Sequence, residues 1–183
     1  LDESVFFSNI SRFFESYVTK SDRIQIYQIL HDQRSRLIID SGRIVHDGII
    51  YKKGEFAPGH LVQTKRPYFS NNISRDPVFS TFKTDQSINS ELCVPIMHEG
   101  VILATVHFQS EKVDQFGLED INLILAILHE IKTPMANMKM YIAAKYLNEA
   151  LSLKVEERER ELDDRKSIDL QSMERPVKED EIL

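Results

Sequence analysis

The sequence lacks most of the features that mark secreted, membrane-spanning and nucleic-acid-binding proteins. It has one cysteine, Cys93, and no tryptophan in 183 residues, which excludes an internal disulfide and any zinc cluster built from cysteines. Its longest apolar stretches, such as residues 124–128, are far shorter than the ~20 residues of a membrane-spanning helix. The net charge of −6 leaves no excess of positive charge for a phosphate backbone. We therefore expect a cytoplasmic protein with no membrane segment in this chain and no nucleic-acid partner.

The apolar pattern changes period along the chain and divides it into four regions. Residues 1–20 place aromatic residues at helical spacing, which predicts an amphipathic N-terminal helix. Residues 21–141 contain alternating segments typical of strands, a short helix expected at 60–63, a hairpin signal at His98-Glu99-Gly100 and the start of a long helix. Residues 142–175 are dense in charge, which favours a signalling helix or coiled coil, and 176–183 are expected to be a disordered tail. This order predicts an α+β fold with an antiparallel sheet.

Four short stretches between Thr64 and Asp120 resemble the GAF domain family in their order and spacing. They are residues 64–73, Arg75-Asp76-Pro77, residues 90–96 with the sequence Ser-Glu-Leu-Cys-Val-Pro-Ile, and Phe116 with Glu119-Asp120. The resemblance implies a GAF-like antiparallel sheet with the N- and C-terminal helices packed on one face. It further implies a ligand cavity on the other face, here beneath residues 56–90, and a long helical or coiled-coil extension follows.

The resemblance also indicates which side chains could bind a small molecule in that cavity. The candidate ligand-binding residues are Phe56, Tyr68, Asn71, Phe79 and Phe82. Ordinary core packing is the alternative for each of the aromatic residues, because large apolar side chains are commonly buried. For Asp76-Pro77 we favour a role as a turn initiator.

Several ligand classes known in the GAF family do not fit these residues. A covalent bilin is not expected, because Cys93 lies in a predicted strand, and a cyclic nucleotide is disfavoured, because Ile121 replaces the expected Glu and no Asn-Lys pair exists. The methionine-sulfoxide reductase reaction needs paired cysteines, which one cysteine cannot supply. His60 and His107 could each bind haem, but a lone histidine is more often a core residue, so no metal site is predicted and the cofactor stays unknown.

Residues 129–134, His-Glu-Ile-Lys-Thr-Pro, resemble the phosphoacceptor box of sensor histidine kinases. That resemblance implies His129 as the phosphoacceptor, Glu130 as its acid-base partner and a response-regulator receiver domain as a partner. The same residues also fit the last helix of a GAF domain without a gap. No kinase catalytic domain is present in this sequence, so whether the chain takes part in catalysis stays open.

Three hypotheses of function follow. In the first, the chain is the sensory domain of a bacterial signalling protein, in which a small molecule or a neighbouring domain acts through a helical homodimer on an effector, such as a histidine kinase. In the second, it is the phosphotransfer segment of a two-component histidine kinase. In the third, it is a structural dimerisation module that binds no ligand.

Overall fold

The computed structural model describes residues 3–79 and 87–173, with side chains to residue 166. The helices are α1 (Glu3–Tyr17), α2 (Phe56–Thr64) and α3 (Leu118–Met173), and a short 3-10 turn spans Ile73–Arg75. The strands are β1 (Arg23–Ile29), β2 (Ser35–Asp40), β3 (Arg43–Ile44), β4 (Ile50–Tyr51), β5 (Tyr68–Ser70), β6 (Ser90–His98) and β7 (Val101–Ser110). Phe82 and the tail predicted at 176–183 lie outside the described residues.

The strands of the described residues form one antiparallel sheet, which confirms the predicted α+β architecture. The strand order is β3-β2-β1-β7-β6-β5, and β4 pairs with β2 beside β3. The predicted hairpin joins β6 to β7 through Glu99 and Gly100, whose φ angles are 48° and 76°. Two successive positive φ angles are typical of the tight turns whose twist matches that of the flanking strands.

The apolar face of α1 packs on one side of this sheet. Phe7 and Phe14 of α1 are fully buried, and the ring of Phe14 meets the ring of Phe108 on β7 edge to face, with centroids 5.1 Å apart. Such aromatic pairs combine a large buried apolar area with a favourable ring geometry. The helical period predicted for the first residues therefore marks a face that the sheet covers.

Helix α2 begins four residues earlier than the sequence indicated. The expected short helix at 60–63 is Phe56–Thr64 in the structure, and Pro58 and Gly59 lie inside its first turn. Proline is tolerated there because the first amide groups of a helix have no helical hydrogen-bond partner. The Pro58-Gly59 pair therefore starts a helix where the sequence analysis expected a break before one.

Helix α3 runs through Pro134 and belongs to two compact units that divide the chain after Lys139. In the first unit, Ile124, Leu128 and Met135 of α3 are buried. In the second unit, Leu151, Val155 and Leu162 are all more than half exposed. Within residues 3–79 and 87–173, no helix combines the length and the apolarity needed to cross a membrane.

Candidate functional site

The two faces of the central strands carry different chemistry, although both are buried. On β7, Val106 and Phe108 are fully buried on the side of α1. The alternate residues Thr105 and His107 point to the opposite side and are 0% and 1% exposed. Successive side chains of a strand point to opposite faces, so a buried polar layer lies directly behind the apolar core.

A chain of polar contacts on this second face runs from the start of β1 and the end of β2 toward the middle of the sheet. Arg23 donates through Nε to Asp40 Oδ1 at 2.8 Å and through Nη2 to Oδ2, and Gln25 Nε2 also donates to Asp40 Oδ2, at 3.3 Å. The Tyr27 hydroxyl donates to Gln25 Oε1 at 3.0 Å, and the Tyr27 ring lies 4.9 Å from the His107 ring. Burial raises the pKa of Tyr27 well above its ordinary value, so its hydroxyl keeps the proton that it donates.

Three atoms of different elements meet at the middle of the sheet, on the side chains of Glu91, Cys93 and His107. Cys93 Sγ lies 3.1 Å from Glu91 Oε1 and 3.0 Å from His107 Nδ1, and Nδ1 lies 2.9 Å from the same Oε1. The second ring nitrogen of His107, Nε2, is 3.1 Å from Thr105 Oγ1. Glu91 and Cys93 are 6% and 0% exposed. Burial, followed by the nearby Glu91 carboxylate, raises the pKa of the Cys93 thiol well above its ordinary value.

Gln109 adds a buried acceptor to the same face. It lies directly opposite Glu91 in the pairing of β6 and β7, and it is 8% exposed. Among the described residues, its Oε1 atom has no hydrogen-bond partner. A buried acceptor without a donor costs free energy of folding, on the order of 1–3 kcal/mol, so this position favours a bound donor.

Apolar side chains from α2 and the following loop cover the cysteine. Cys93 belongs to a buried cluster with Ala57, Leu61, Ile73, Phe79 and Ile88, against which Tyr68 is partly packed. Two of the candidate ligand-binding residues, Tyr68 and Phe79, therefore lie beside Cys93, with their ring centroids 4.7 Å apart. Their ability to bind a ligand stays a prediction.

The hydroxyl of Tyr68 is held by the turn that precedes Phe79. Asp76 Oδ1 accepts hydrogen bonds from the Tyr68 hydroxyl at 2.8 Å and from the amides of Val78 and Phe79 at 2.9 Å. Burial and then the hydrogen bond to Asp76 raise the pKa of Tyr68 to about 12. Asp76 thus begins a turn, as its sequence context indicated, and fixes the tyrosine at the edge of the cluster.

Two other candidate ligand-binding residues, Asn71 and Phe56, are not among the residues of the cluster around Cys93. Asn71 donates from Nδ2 to the Phe116 carbonyl at 2.7 Å and accepts from the Phe116 amide at 3.0 Å, so it joins the end of β5 to the segment before α3. Phe56 contacts Tyr51, with the ring centroids 4.8 Å apart. Phe82 lies outside the described residues.

The two residues expected to carry phosphotransfer, His129 and Glu130, are both exposed on α3. Lys132 Nζ lies 3.1 Å from His129 Nδ1. A charged ammonium group only donates hydrogen bonds, so Nδ1 is the acceptor in this contact.

Sequence reasoning missed the grouping of Glu91, Cys93 and His107, and the sheet register explains why. Near the turn, His98 pairs with Val101 and Met97 with Ile102, a register that would place Cys93 opposite Val106. A bulge next to Ile96 and Met97 shifts the pairing by one residue, so that Cys93 pairs with His107. A shift of one residue exchanges the faces of a strand. The usable signal was the two-residue spacing of Glu91 and Cys93, which puts both on one face.

The comparisons with known proteins agree with this architecture. The family model described as GAF domain matches residues 20–132. No curated protein sequence matches the chain. Among solved structures, a type II free methionine-R-sulfoxide reductase from Thermoplasma acidophilum has a TM-score of 0.60 at 18% identity, with 73% of this chain and 94% of that chain covered.

Two further solved structures show the same fold. A free methionine-R-sulfoxide reductase of Staphylococcus aureus has a TM-score of 0.59 at 19% identity, covering 70% of this chain and 80% of its own. The GAF domain of an Acinetobacter phosphoenolpyruvate-protein phosphotransferase has a TM-score of 0.57 at 19% identity, covering 67% and 75%. At these identities the likeness extends to the fold alone. The family model spans more than half of the chain, and the chain therefore belongs to the GAF domain family.

Proposed function

We propose that this GAF domain is the sensory module of a signalling protein, in which a small molecule binds against the polar face of the sheet and helix α3 passes the change to an effector. The buried polar layer carries this proposal. Its members are the buried residues Gln25, Glu91, Thr105, His107 and Gln109.

Stability alone does not account for this layer. Buried polar groups contribute little to folding even when paired, and they destabilise the folded state when a partner is absent. The same strands bury Val106 and Phe108 on their other face, so apolar side chains are compatible with buried positions on these strands. Binding sites commonly combine apolar walls with a few placed polar groups, which describes Glu91, His107 and Gln109 beside the apolar cover of Cys93.

The route to an effector is helix α3, which is continuous from Leu118 to Met173. Its first turns contribute buried residues such as Ile124 to the domain, so a change in domain packing acts on the helix directly. Farther along, Leu151, Val155 and Leu162 are exposed and lie four and seven residues apart. This spacing is typical of a coiled-coil seam, which supports a homodimer as the form that transmits the signal in the cytoplasm.

The sensory proposal is tested by a thermal-shift screen of the full chain with a panel of metabolites. We expect at least one compound to raise the Tm of the wild-type chain and to have no such effect on Gln109→Leu, which removes the free acceptor. Gln63→Leu is the matched control, because Gln63 is exposed, and it should respond like the wild-type chain. Compounds that stabilise all three proteins equally would show binding elsewhere and contradict the proposal.

The homodimer is tested by placing a charge on the seam. Leu151→Arg should shift the chain from dimer to monomer in sedimentation equilibrium, because a buried arginine pair in a coiled-coil seam is repulsive. Leu153→Arg is the control, since Leu153 is 68% exposed but lies off the seam. A Leu151→Arg chain that remains dimeric would place the association surface elsewhere.

A second candidate function is phosphotransfer through His129, which the exposure of that residue favours. A phosphoacceptor must reach both a donor and a receiver domain, and a buried imidazole could do neither. Nucleophilic attack by Nε2 needs the ring proton on Nδ1, held by an acceptor such as the neighbouring Glu130, so the contact of Lys132 with Nδ1 must first give way.

Phosphoramidate, a small phosphoryl donor, provides a direct test of this candidate. The wild-type chain should gain one acid-labile phosphoryl group by mass spectrometry, and His129→Ala should lose it. His46→Gln is the control, because His46 is another exposed histidine. Equal labelling of the wild-type chain and His129→Ala would rule out His129 as a selective acceptor.

A further inference from the structure

We propose that Glu91, Cys93 and His107 form a binding site for a divalent transition-metal ion of the zinc class. The inference rests on the proposed sensory function only in its last step, in which the ion or a molecule bound to it is the sensed ligand. The metal site itself rests on the geometry of the three side chains.

The three facing atoms are suited to one kind of ion. Thiolate sulfur, imidazole nitrogen and carboxylate oxygen are the three ligand types that Zn²⁺ takes from proteins. One such atom from each residue lies within 4.8 Å of the others, and all three residues are buried. Ions such as Mg²⁺ and Ca²⁺ favour sites made of oxygen atoms alone, so the mixed set favours zinc or a neighbouring transition metal.

The present distances are close to those of a coordinated ion. The three atoms are 2.9 to 3.1 Å apart, whereas ligands of a tetrahedral Zn²⁺ lie about 3.3–3.6 Å apart, given its usual bond lengths. Each pair must therefore separate by roughly 0.3–0.6 Å to admit the ion. Rotations of side chains supply a movement of this size without a change in the strands.

The sheet fixes where the ligands stand. Cys93 and His107 are directly paired across β6 and β7, and Glu91 lies two residues before Cys93 on the same face. Thr105 Oγ1, 3.1 Å from His107 Nε2, orients the ring so that Nδ1 faces the other two ligands. Hydrogen bonds of this kind to the second nitrogen of a ligand histidine are usual at metal sites, where they set the ring orientation.

Charge and proton balance also suit a buried ion. A thiolate and a carboxylate together neutralise the two positive charges of Zn²⁺, so the occupied site adds no net charge to the interior. On binding, the Cys93 thiol loses its proton to solvent, and His107 binds the ion through Nδ1 as the neutral tautomer that carries its proton on Nε2. No oxidation or reduction is involved.

The site leaves one coordination position for an outside molecule. Among the described residues, no fourth His, Cys, Asp or Glu joins the group. Three protein ligands with one open position are typical of zinc sites that bind water or a substrate. Gln109 Oε1, buried on the same face without a donor, is an available acceptor for a molecule held there.

The test is metal binding by the full chain after treatment with a chelator and dialysis. Equilibrium dialysis with zinc should give about one equivalent per chain, and Co²⁺ should produce the near-ultraviolet charge-transfer absorption of a cobalt thiolate. Cys93→Ser should lose that absorption, and His107→Gln should weaken zinc binding by about 100-fold or more. Thr105→Val should weaken it by about 10-fold, as expected for a residue that orients a ligand.

His46→Gln serves as the matched control, because His46 is exposed beside the carboxylate of Asp47, and it should bind zinc like the wild-type chain. Far-ultraviolet circular dichroism shows whether each variant is folded. A wild-type chain that binds less than a tenth of an equivalent, or a Cys93→Ser chain that keeps the wild-type affinity, would overturn the metal site.

The failure of the metal site and that of the sensory function give different results. If zinc does not bind, the metal site is wrong, and the metabolite screen with Gln109→Leu still tests the sensory proposal. If zinc binds at one equivalent but leaves the amide hydrogen exchange of α3 unchanged, the metal site stands and the ion is not the sensed ligand.

Discussion

The two faces of the central strands differ in how they hold the fold together. Toward α1, the sheet buries Val106 and Phe108, and the Phe108 ring meets the ring of Phe14. Toward α2, the same strands bury Thr105 and His107. Apolar burial stabilises a fold by roughly 25 cal/mol per Å², whereas a typical hydrogen bond contributes only about 1 kcal/mol net.

The two faces therefore depend on their side chains in different ways. The apolar face stabilises the fold through the area it buries, and it tolerates apolar substitutions that conserve volume. The polar face depends on specific partners, because every buried donor or acceptor that loses its partner destabilises the chain. A sheet that needed only stability would have two faces like the first one.

The strongest test of this comparison is a cavity on the apolar face. Phe14→Ala should lower the free energy of unfolding by about 3–5 kcal/mol, because Phe14 is fully buried and contacts Phe108. The measurement is urea unfolding followed by circular dichroism. The neighbouring Phe13, 44% exposed, is the control, and Phe13→Ala should cost clearly less. Equal losses at both positions would mean that α1 does not anchor the apolar face.

The sequence predicted the larger elements of this fold because their signals are local. The aromatic helical spacing in the first 20 residues and the alternation on both sides of His98-Glu99-Gly100 survive in α1, β6 and β7. The short strands β3 and β5 have too few residues to show a period. Their pairing depends on neighbours that are distant in sequence, so no local pattern could have predicted them.

The next test compares two opposite substitutions at adjacent positions on β7: one replaces a methyl group with a hydroxyl group, and the other does the reverse. Val106→Thr buries a hydroxyl on the apolar face and should lower the free energy of unfolding by about 1–3 kcal/mol. Thr105→Val adds apolar surface, yet it should also destabilise by about 1–3 kcal/mol, because His107 Nε2 loses its partner. Urea unfolding of the metal-free chains measures both. A Thr105→Val chain that is more stable than the wild type would show that the polar side chains of this face do not stabilise the fold.

The candidate site could be predicted only in part, since its key contact depends on a bulge. Glu91 and Cys93 share a face in any strand assignment, but a regular hairpin would place Cys93 opposite Val106. The extra residue on β7 puts His107 there instead. A lone histidine such as His107 is typical of a core residue, and no local pattern indicates that it meets Cys93. Tyr68 and Phe79, by contrast, pack beside Cys93 on the α2 side of the sheet, and their role in binding a ligand stays a prediction.

The smallest expected effect is a dependence on pH at the edge of the polar face. Burial alone would raise the pKa of Asp40, but the hydrogen bonds and charge of Arg23, with a hydrogen bond from Gln25, outweigh it and hold this pKa below the ordinary 3.8. Folding therefore favours the ionised carboxylate, so its contribution to stability is present above the ordinary pKa and is lost as the pH falls through the lower folded value.

Asp40→Asn should consequently lower the free energy of unfolding at pH 7, by on the order of 1 kcal/mol for a partly exposed pair. In strong acid the Asp40 carboxyl group is protonated and as uncharged as the amide that replaces it, so the difference between the two chains should shrink steadily below pH 4. Asp47→Asn is the control, since Asp47 is exposed. Urea unfolding at a series of pH values measures the difference in free energy of unfolding between the two chains. If this difference stays constant into strong acid, Asp40 acts through packing and not through its charge. If the difference disappears in strong acid, the pair of Arg23 and Asp40 depends on charge, whereas the buried centre of the polar face depends on specific hydrogen bonds.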